Sequence, residues 1–198
     1  RQINQAGYES YRRLIESGLA EELTGAGLLI PHEELGAEVG ITDDAALVIL
    51  PREVPFLSYP YEWCHGQLKA AALATLDILR RAIAHGMILK DASAFNIQFI
   101  GAAPVLIDTL SFAPYTEGQP WIAYRQFCQH FLAPLLLMSS RDPRLSDLLR
   151  AHLDGIPLDL ASKLLPARSW FSPGVLLHIH LHARSLRKYA NTPLRGRS

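Results

Sequence analysis

Between residues 86 and 108 two carboxylates and one carboxamide are set into a run that is otherwise largely apolar. It reads Gly86-Met-Ile-Leu-Lys-Asp91-Ala-Ser-Ala-Phe-Asn96-Ile-Gln-Phe, then Pro104-Val-Leu-Ile-Asp108. Apolar triplets of this kind form short buried strands, so the polar residues between them are confined to strand ends and tight loops. The segment 96–99 and the segment 104–107 are joined by Gly101-Ala-Ala, which predicts a β-hairpin. Asp108 then stands at the end of an apolar strand, where a carboxylate is held rigidly.

These residue types suit one chemistry. Phosphoryl transfer needs charge neutralisation by metal ions and a carboxylate that orients and deprotonates the acceptor hydroxyl. Asp91 fits the base. Asn96 and Asp108 offer hard oxygen ligands of the kind Mg²⁺ takes. Lys90 can neutralise phosphate charge or brace the loop. A structural reading of the same residues stands beside this one: Asp91 capping a turn that begins Asp-Ala-Ser, Asn96 in a loop with positive φ, and Asp108 as an N-cap to the residues after it.

The rest of the chain predicts an α+β fold with its strands in the first half. Tyr8, Tyr11, Leu14, Ile15, Leu19 and Leu23 recur at helical spacing over residues 8–23, and Gly25 and Gly27 end that run. Strands are expected at 28–30, 45–50 and 54–58, with a Gly-containing acidic loop at 36–44. A long helix over 66–84 places Leu68, Ala72, Leu76, Leu79 and Ile83 near one stripe, and Gly86 suits a left-handed cap after it. Helices are further expected at 121–138, kinked at Pro134, and at 144–152, 158–165 and 173–189.

Length and composition set outer limits. The 198 residues suffice for one substantial core or two small lobes. With 19 basic and 19 acidic residues the formal net charge is zero, so no global field recruits nucleic acid or an anionic membrane. The apolar stretch at 131–138 is too short to span a bilayer. Two cysteines make no disulfide framework, no signal peptide is evident, and a cytoplasmic location is the expectation. The start at Arg1 suggests a piece of a longer protein.

Residues 59–112 resemble the hinge-to-metal-loop portion of the protein-kinase-like superfamily, nearest in brevity to bacterial aminoglycoside and choline phosphotransferases. The resemblance implies a mostly helical large lobe over 59–190 with a catalytic-loop hairpin, a truncated small lobe over 1–58, and a basic tail or linker over 191–198. Leu89, Lys90, Asp91 and Asn96 match the catalytic loop, and Asp108 stands where the family places its second metal-binding Asp. It further implies ATP and Mg²⁺ as cofactors, with Asp91 as base, Lys90 assisting, and Asn96 and Asp108 on the metal. Tyr59, Tyr61, Glu62 and Trp63 fall at the hinge that would hold the nucleotide. The aromatic members of that set also suit a core packed at the hinge.

Departures from the family pattern are equally plain. The first lysine is Lys69, no Gly-x-Gly-x-x-Gly loop precedes the hinge, and Thr109-Leu110 comes after the second Asp. A second and narrower resemblance covers most of the chain. Tyr59-Pro-Tyr-Glu-Trp, Leu89-Lys-Asp-Ala-Ser-Ala-Phe-Asn-Ile-Gln-Phe, Ile107-Asp-Thr-Leu-Ser-Phe and Trp121-Ile-Ala-Tyr-Arg-Gln-Phe-Cys-Gln-His-Phe-Leu-Ala-Pro are similar to bacterial SAM-dependent methyltransferases and nodulation-related proteins. It implies a module preceding a methyltransferase domain that lies outside this chain, so that SAM would be bound there and not here. A non-catalytic accessory domain that positions substrate for such a neighbour is the competing expectation.

His178-Ile-His-Leu-His182 alternates as a strand metal site does. On a helix only His178 and His182 share a face, and packing is the expectation. Cys64 and Cys128 are expected as small buried hydrophobes.

Overall fold

The computed structural model describes residues 1–190; the basic tail expected over 191–198 lies outside them. It is an α+β fold with strands in the first 114 residues and helices alone after them. A three-stranded antiparallel sheet in the order β1-β3-β2 is formed by β1 (Gln2–Asn4), β2 (His32–Glu34) and β3 (Ala45–Pro51). Against it lies helix α1 (Gln5–Glu16), and α2 (Leu19–Gly25) comes next. The single helix expected over 8–23 is two, because Gly18 at φ +77° turns the chain between them. Ile3, Tyr11 and Ile49 form the small core between sheet and helix.

Helix α3 (His65–Ala84) is the centre of the main core. Leu68, Ala71, Ala72, Thr75, Ile78 and Ala82 are buried along it, whereas Leu76 and Ile83, expected on the same stripe, are 40% and 43% exposed. The packed stripe is rotated toward the alanines, which let the neighbouring hairpins approach the helix closely. Gly86, at φ +68°, ends α3 as expected, and its N–H donates to the Ile83 carbonyl.

Two antiparallel pairs then cross the helix. Strand β4 (Met87–Leu89) pairs with β7 (Phe112–Pro114), Leu89 opposite Phe112. Strand β5 (Ile97–Ile100) pairs with β6 (Ala103–Leu106), Ile97 opposite Leu106, the hairpin predicted from Gly101. Residues 28–30 form no named strand but a single parallel bridge: Ile30 N–H donates to Leu106 O and Leu106 N–H to Leu28 O. The strand expected at 54–58 is absent: Pro55 removes a ladder donor, and the Ser58 N–H donates to the Gln98 side chain instead.

The C-terminal part is helical. Helix α4 (Tyr124–Phe127), a π-helical turn (Cys128–Leu132) and α5 (Ala133–Ser140) form one continuous helical run. Pro134, expected as a kink or break, stands inside this run just after the π-helical turn, where the regular hydrogen-bond ladder is already interrupted. Helices α6 (Leu148–Ala151), α7 (Leu158–Leu164), α8 (Pro173–Val175), a second π-helical turn (Leu176–Leu181) and α9 (His182–Ala190) close a second cluster around Leu137, Leu149, Ile156, Leu158 and Ile179. No helix among the described residues is long and apolar enough to cross a membrane.

Candidate functional site

The wholly buried Met87 and Leu89 fix β4, and the polar loop begins where that strand ends. Lys90 N–H donates to the Ser111 carbonyl at 2.7 Å, while Ile107 N–H donates to the Asn96 carbonyl at 2.8 Å. The loop carrying Asp91 and Asn96 is thus laced along both edges to the segment carrying Asp108. Residues distant in sequence are brought to one end of the two strand pairs.

Within the loop Asp91 is half-buried. Its Oδ1 accepts the Ser93 N–H at 2.9 Å and the Gln126 carboxamide Nε2 at 2.8 Å. Oδ2 receives no hydrogen bond among the described residues, so one oxygen is held and the other is not. Gln126 also holds the backbone, its Oε1 accepting the Ala92 N–H at 2.6 Å. Trp121 Nε1 donates to the Leu89 carbonyl at 2.6 Å. Both ends of the segment 89–92 are therefore gripped by residues 121–126, the start of α4 and the turn before it.

Asp108 caps the turn Thr109–Ser111: Oδ1 accepts Leu110 N–H at 3.1 Å and Oδ2 accepts the Ser111 hydroxyl at 2.8 Å. The Ser111 oxygen in turn accepts from Asn96 Nδ2 at 3.3 Å, and the amide oxygen Oδ1 of Asn96 accepts no hydrogen bond among the described residues. Asn96 and Asp108 are joined through one serine, and each presents a hard oxygen of the kind Mg²⁺ binds in company with phosphates and water. Among the described residues no three His, Cys, Asp or Glu side chains gather into a metal-holding group. Asn96 does not have a positive φ. Asp108 also pairs with the Arg1 guanidinium, which lies next to the first strand. Lys90 is exposed and lines a groove of about 440 Å³ with Ile88, Pro114, Tyr115 and Ile122.

The four hinge residues divide. Tyr59 and Tyr61 stack on each other at 5.4 Å, with the Arg150 guanidinium 5.5 Å over the Tyr61 ring. Glu62 accepts the Tyr59 N–H at 2.8 Å and so closes the turn Pro60–Glu62. Trp63, expected beside a nucleotide, is 2% exposed, packed edge-on against Phe99 at 5.1 Å and donating Nε1 to Ser58 Oγ at 2.9 Å. Its ring belongs to the core, because burying so large an apolar surface outweighs leaving it open at a site edge.

Several participants were not read from the sequence. Ser111, Gln126, Trp121 and Arg1 have no periodic signal; all but Arg1 lie inside motifs quoted above, yet only folding shows what they touch. His130 is another. It is 2% exposed, packs edge-on against Phe95 of the loop at 6.1 Å, and its Nδ1 has no partner among the described residues. Burial pushes its pKa down to about 4 despite the nearby Asp91 and Asp154. Gly155 at φ +90° makes the room: a Cβ there would stand 2.6 Å from Gln129 Cβ and 2.9 Å from His130 Cδ2.

The other histidines pack, as expected. His180 is wholly buried between Ser162 Oγ at 2.7 Å and Ser169 Oγ at 2.8 Å, with Trp170 stacked on it at 4.0 Å. The Tyr124 hydroxyl meets His178, and its ring stacks on His182 at 5.1 Å. Cys128 is buried as expected; Cys64, at the N-terminus of α3, is exposed.

Part of this chain is similar to a nodulation protein. The relative is nodulation protein NoeA of Rhizobium meliloti (strain 1021), 44% identical over 128 residues. The match covers 65% of this chain but 27% of the relative, so this chain corresponds to about a quarter of that protein. No family model matches the chain, and no solved structure matches it.

Proposed function

We propose that this chain is a kinase-like, nucleotide- and Mg²⁺-binding module of the phosphotransferase type, part of a longer bacterial protein with a methyltransferase domain. The observation that carries the reading is the Asn96–Ser111–Asp108 chain of hydrogen bonds, laced by the Lys90 and Ile107 amides to the loop that holds Asp91. In this reading Asp91 Oδ2 takes the proton of an acceptor hydroxyl, with Oδ1 anchored by Gln126. Asn96 Oδ1 and Asp108 hold Mg²⁺, which when bound neutralises the phosphates. Lys90, next to Asp91 in the chain, adds positive charge. Tyr59, Tyr61 and Glu62 are the hinge residues left to meet a nucleotide, and SAM belongs to a domain outside this chain.

The test is equilibrium binding of ATP with and without Mg²⁺ to wild type, Asp91→Ala and Asp108→Ala. Metal-dependent binding that Asp108→Ala abolishes is the expected result. A ligand at about a hundred times its Kd would raise stability by about 2.7 kcal/mol. Undiminished Mg-ATP binding in Asp108→Ala overturns the reading.

A second reading has its own support. Asp91 and Asp108 both cap turns, and the segment before the hinge exposes Phe56 and Leu57 at 76% and 59%. A non-catalytic accessory domain that positions substrate for the methyltransferase neighbour uses the same carboxylates as scaffold. Absence of any ATP-dependent stabilisation, with both carboxylate variants losing stability, favours it.

A further inference from the structure

The pair formed by Arg1 and Asp108 spans 107 positions of sequence. Arg1 continues the β1–β3 ladder: its backbone nitrogen donates to Ile49 O at 2.7 Å, and Ile49 N–H donates to Arg1 O at 2.9 Å. Ile49 is wholly buried, so the sheet fixes the backbone from which the guanidinium extends. The Arg1 side chain is 42% exposed and that of Asp108 17%. A pair this accessible to water contributes little to stability, so its position beside the Asn96–Ser111–Asp108 chain is the informative fact.

Asp108 Oδ1 already receives the Leu110 N–H, and Oδ2 the Ser111 hydroxyl. A divalent cation arriving alone meets an occupied carboxylate and a second positive charge at contact distance. A cation that carries phosphates brings a replacement partner with it. The planar guanidinium fits phosphate oxygens through two parallel hydrogen bonds at least as well as it fits a carboxylate.

We infer that Arg1 is an exchangeable counter-ion: it neutralises Asp108 in the free protein and passes to the phosphate oxygens of a Mg²⁺-bound nucleotide. This rests on the nucleotide reading of the site given above. The arrangement favours metal–phosphate complexes over free metal, since the complex offers the displaced guanidinium phosphate oxygens in place of water.

The experiment is calorimetric titration of the full-length protein with MgCl₂ alone and with Mg²⁺ plus a non-hydrolysable ATP analogue. Arg1→Ala, Arg1→Lys and Asp108→Asn are compared with wild type, and circular dichroism checks that each is folded. For Arg1→Ala the expected result has opposite signs. The metal–nucleotide complex binds at least about tenfold more weakly, as the loss of a charge-assisted hydrogen bond requires, while Mg²⁺ alone binds as tightly as before or more tightly. Arg1→Lys recovers part of the loss. Arg1→Ala that leaves the complex unaffected, or weakens complex and free metal alike, overturns the assignment of Arg1. If in that case Asp108→Asn still abolishes binding, the site reading stands without it. Wild type that takes no metal–nucleotide complex overturns both.

Discussion

Gln126 grips Asp91 and the chain next to it with a single carboxamide: Nε2 donates to Asp91 Oδ1 at 2.8 Å, and Oε1 accepts the Ala92 N–H at 2.6 Å. Both bonds come from one side chain on α4, so the loop and the helical region cannot shift independently. Replacing Gln126 by Glu keeps the shape but sets a second carboxylate against Asp91. Gln126→Glu is expected to cost about 1–3 kcal/mol at pH 7, because the donor is lost and like charges face each other. Near pH 4 the protonated acid donates again and most of the difference from wild type disappears. Urea unfolding of the two proteins at both pH values measures this; an equal deficit at both would refute the contact.

The hinge aromatics are expected to separate by experiment as they do by burial. Trp63→Ala should lower stability by about 3–5 kcal/mol, the usual cost of emptying a large core site. Tyr59, 46% exposed, should change stability by less than about 1 kcal/mol when truncated. If the nucleotide reading holds, Tyr59→Ala instead weakens ATP binding. Thermal denaturation and a binding titration on the two variants give both answers.

Gly155 is poorly able to accept a side chain. Its φ of +90° and the close Gln129 and His130 atoms mean that Gly155→Ala must displace the π-helical turn as well as strain its own backbone. A loss of at least about 1–3 kcal/mol is expected. Gly174, with nothing within 4 Å of an added Cβ, serves as the control and should tolerate Ala. Chemical denaturation of the two variants beside wild type measures the contrast.

Acid should destabilise this protein before its carboxylates titrate. His130 is buried neutral with its pKa pushed down to about 4, and burial also lowers His32, His180 and His182. The unfolded chain therefore binds protons that the folded chain refuses. Stability is complete above the unfolded histidine value and falls as pH drops from about 6.5 toward 4, by about 2–3 kcal/mol for His130 alone. His85, raised by its bond to Glu22, acts in the opposite direction but is only half-buried, so that contribution is screened. Denaturant midpoints measured across this range for wild type and His130→Leu should show a shallower acid slope in the variant. An unchanged slope would remove His130 as the cause.

Local signals in the sequence were sufficient for the parts whose shape is decided locally. The hairpin through Gly101, the cap at Gly86 and the long helix between the hinge and the polar loop depend on glycine's access to positive φ and on helical or alternating periodicity. Asp91, Asn96 and Asp108 were recognisable because hard polar ligands are conspicuous among buried apolar strands. The capping bonds of Asp91 and Asp108 were legible too, from the Asp-Ala-Ser run and from the residues after Asp108, whereas the positive φ expected of Asn96 is not found. Local pattern underdetermines burial, however. Leu76 and Ile83 satisfy helical spacing within α3, yet the face that packs is set by how closely the alanines admit the hairpins.

Only the tertiary structure decided what surrounds the site. Arg1 and Asp108, Gln126 and Asp91, and Asn96 and Ser111 are pairs separated by 107, 35 and 15 positions, and no periodicity links them. The kinase pattern draws attention to a missing lysine ahead of the hinge and none to Arg1. What puts that arginine on Asp108 is the register of β1 against β3 and the packing of Leu110 against the Ile3, Tyr11 and Ile49 core. Local backbone preference acts over a few residues, so the chain could state which groups are chemically able. Long-range packing, which buries Trp63 and His130 and leaves Asp91 Oδ2 open, determines which of them meet.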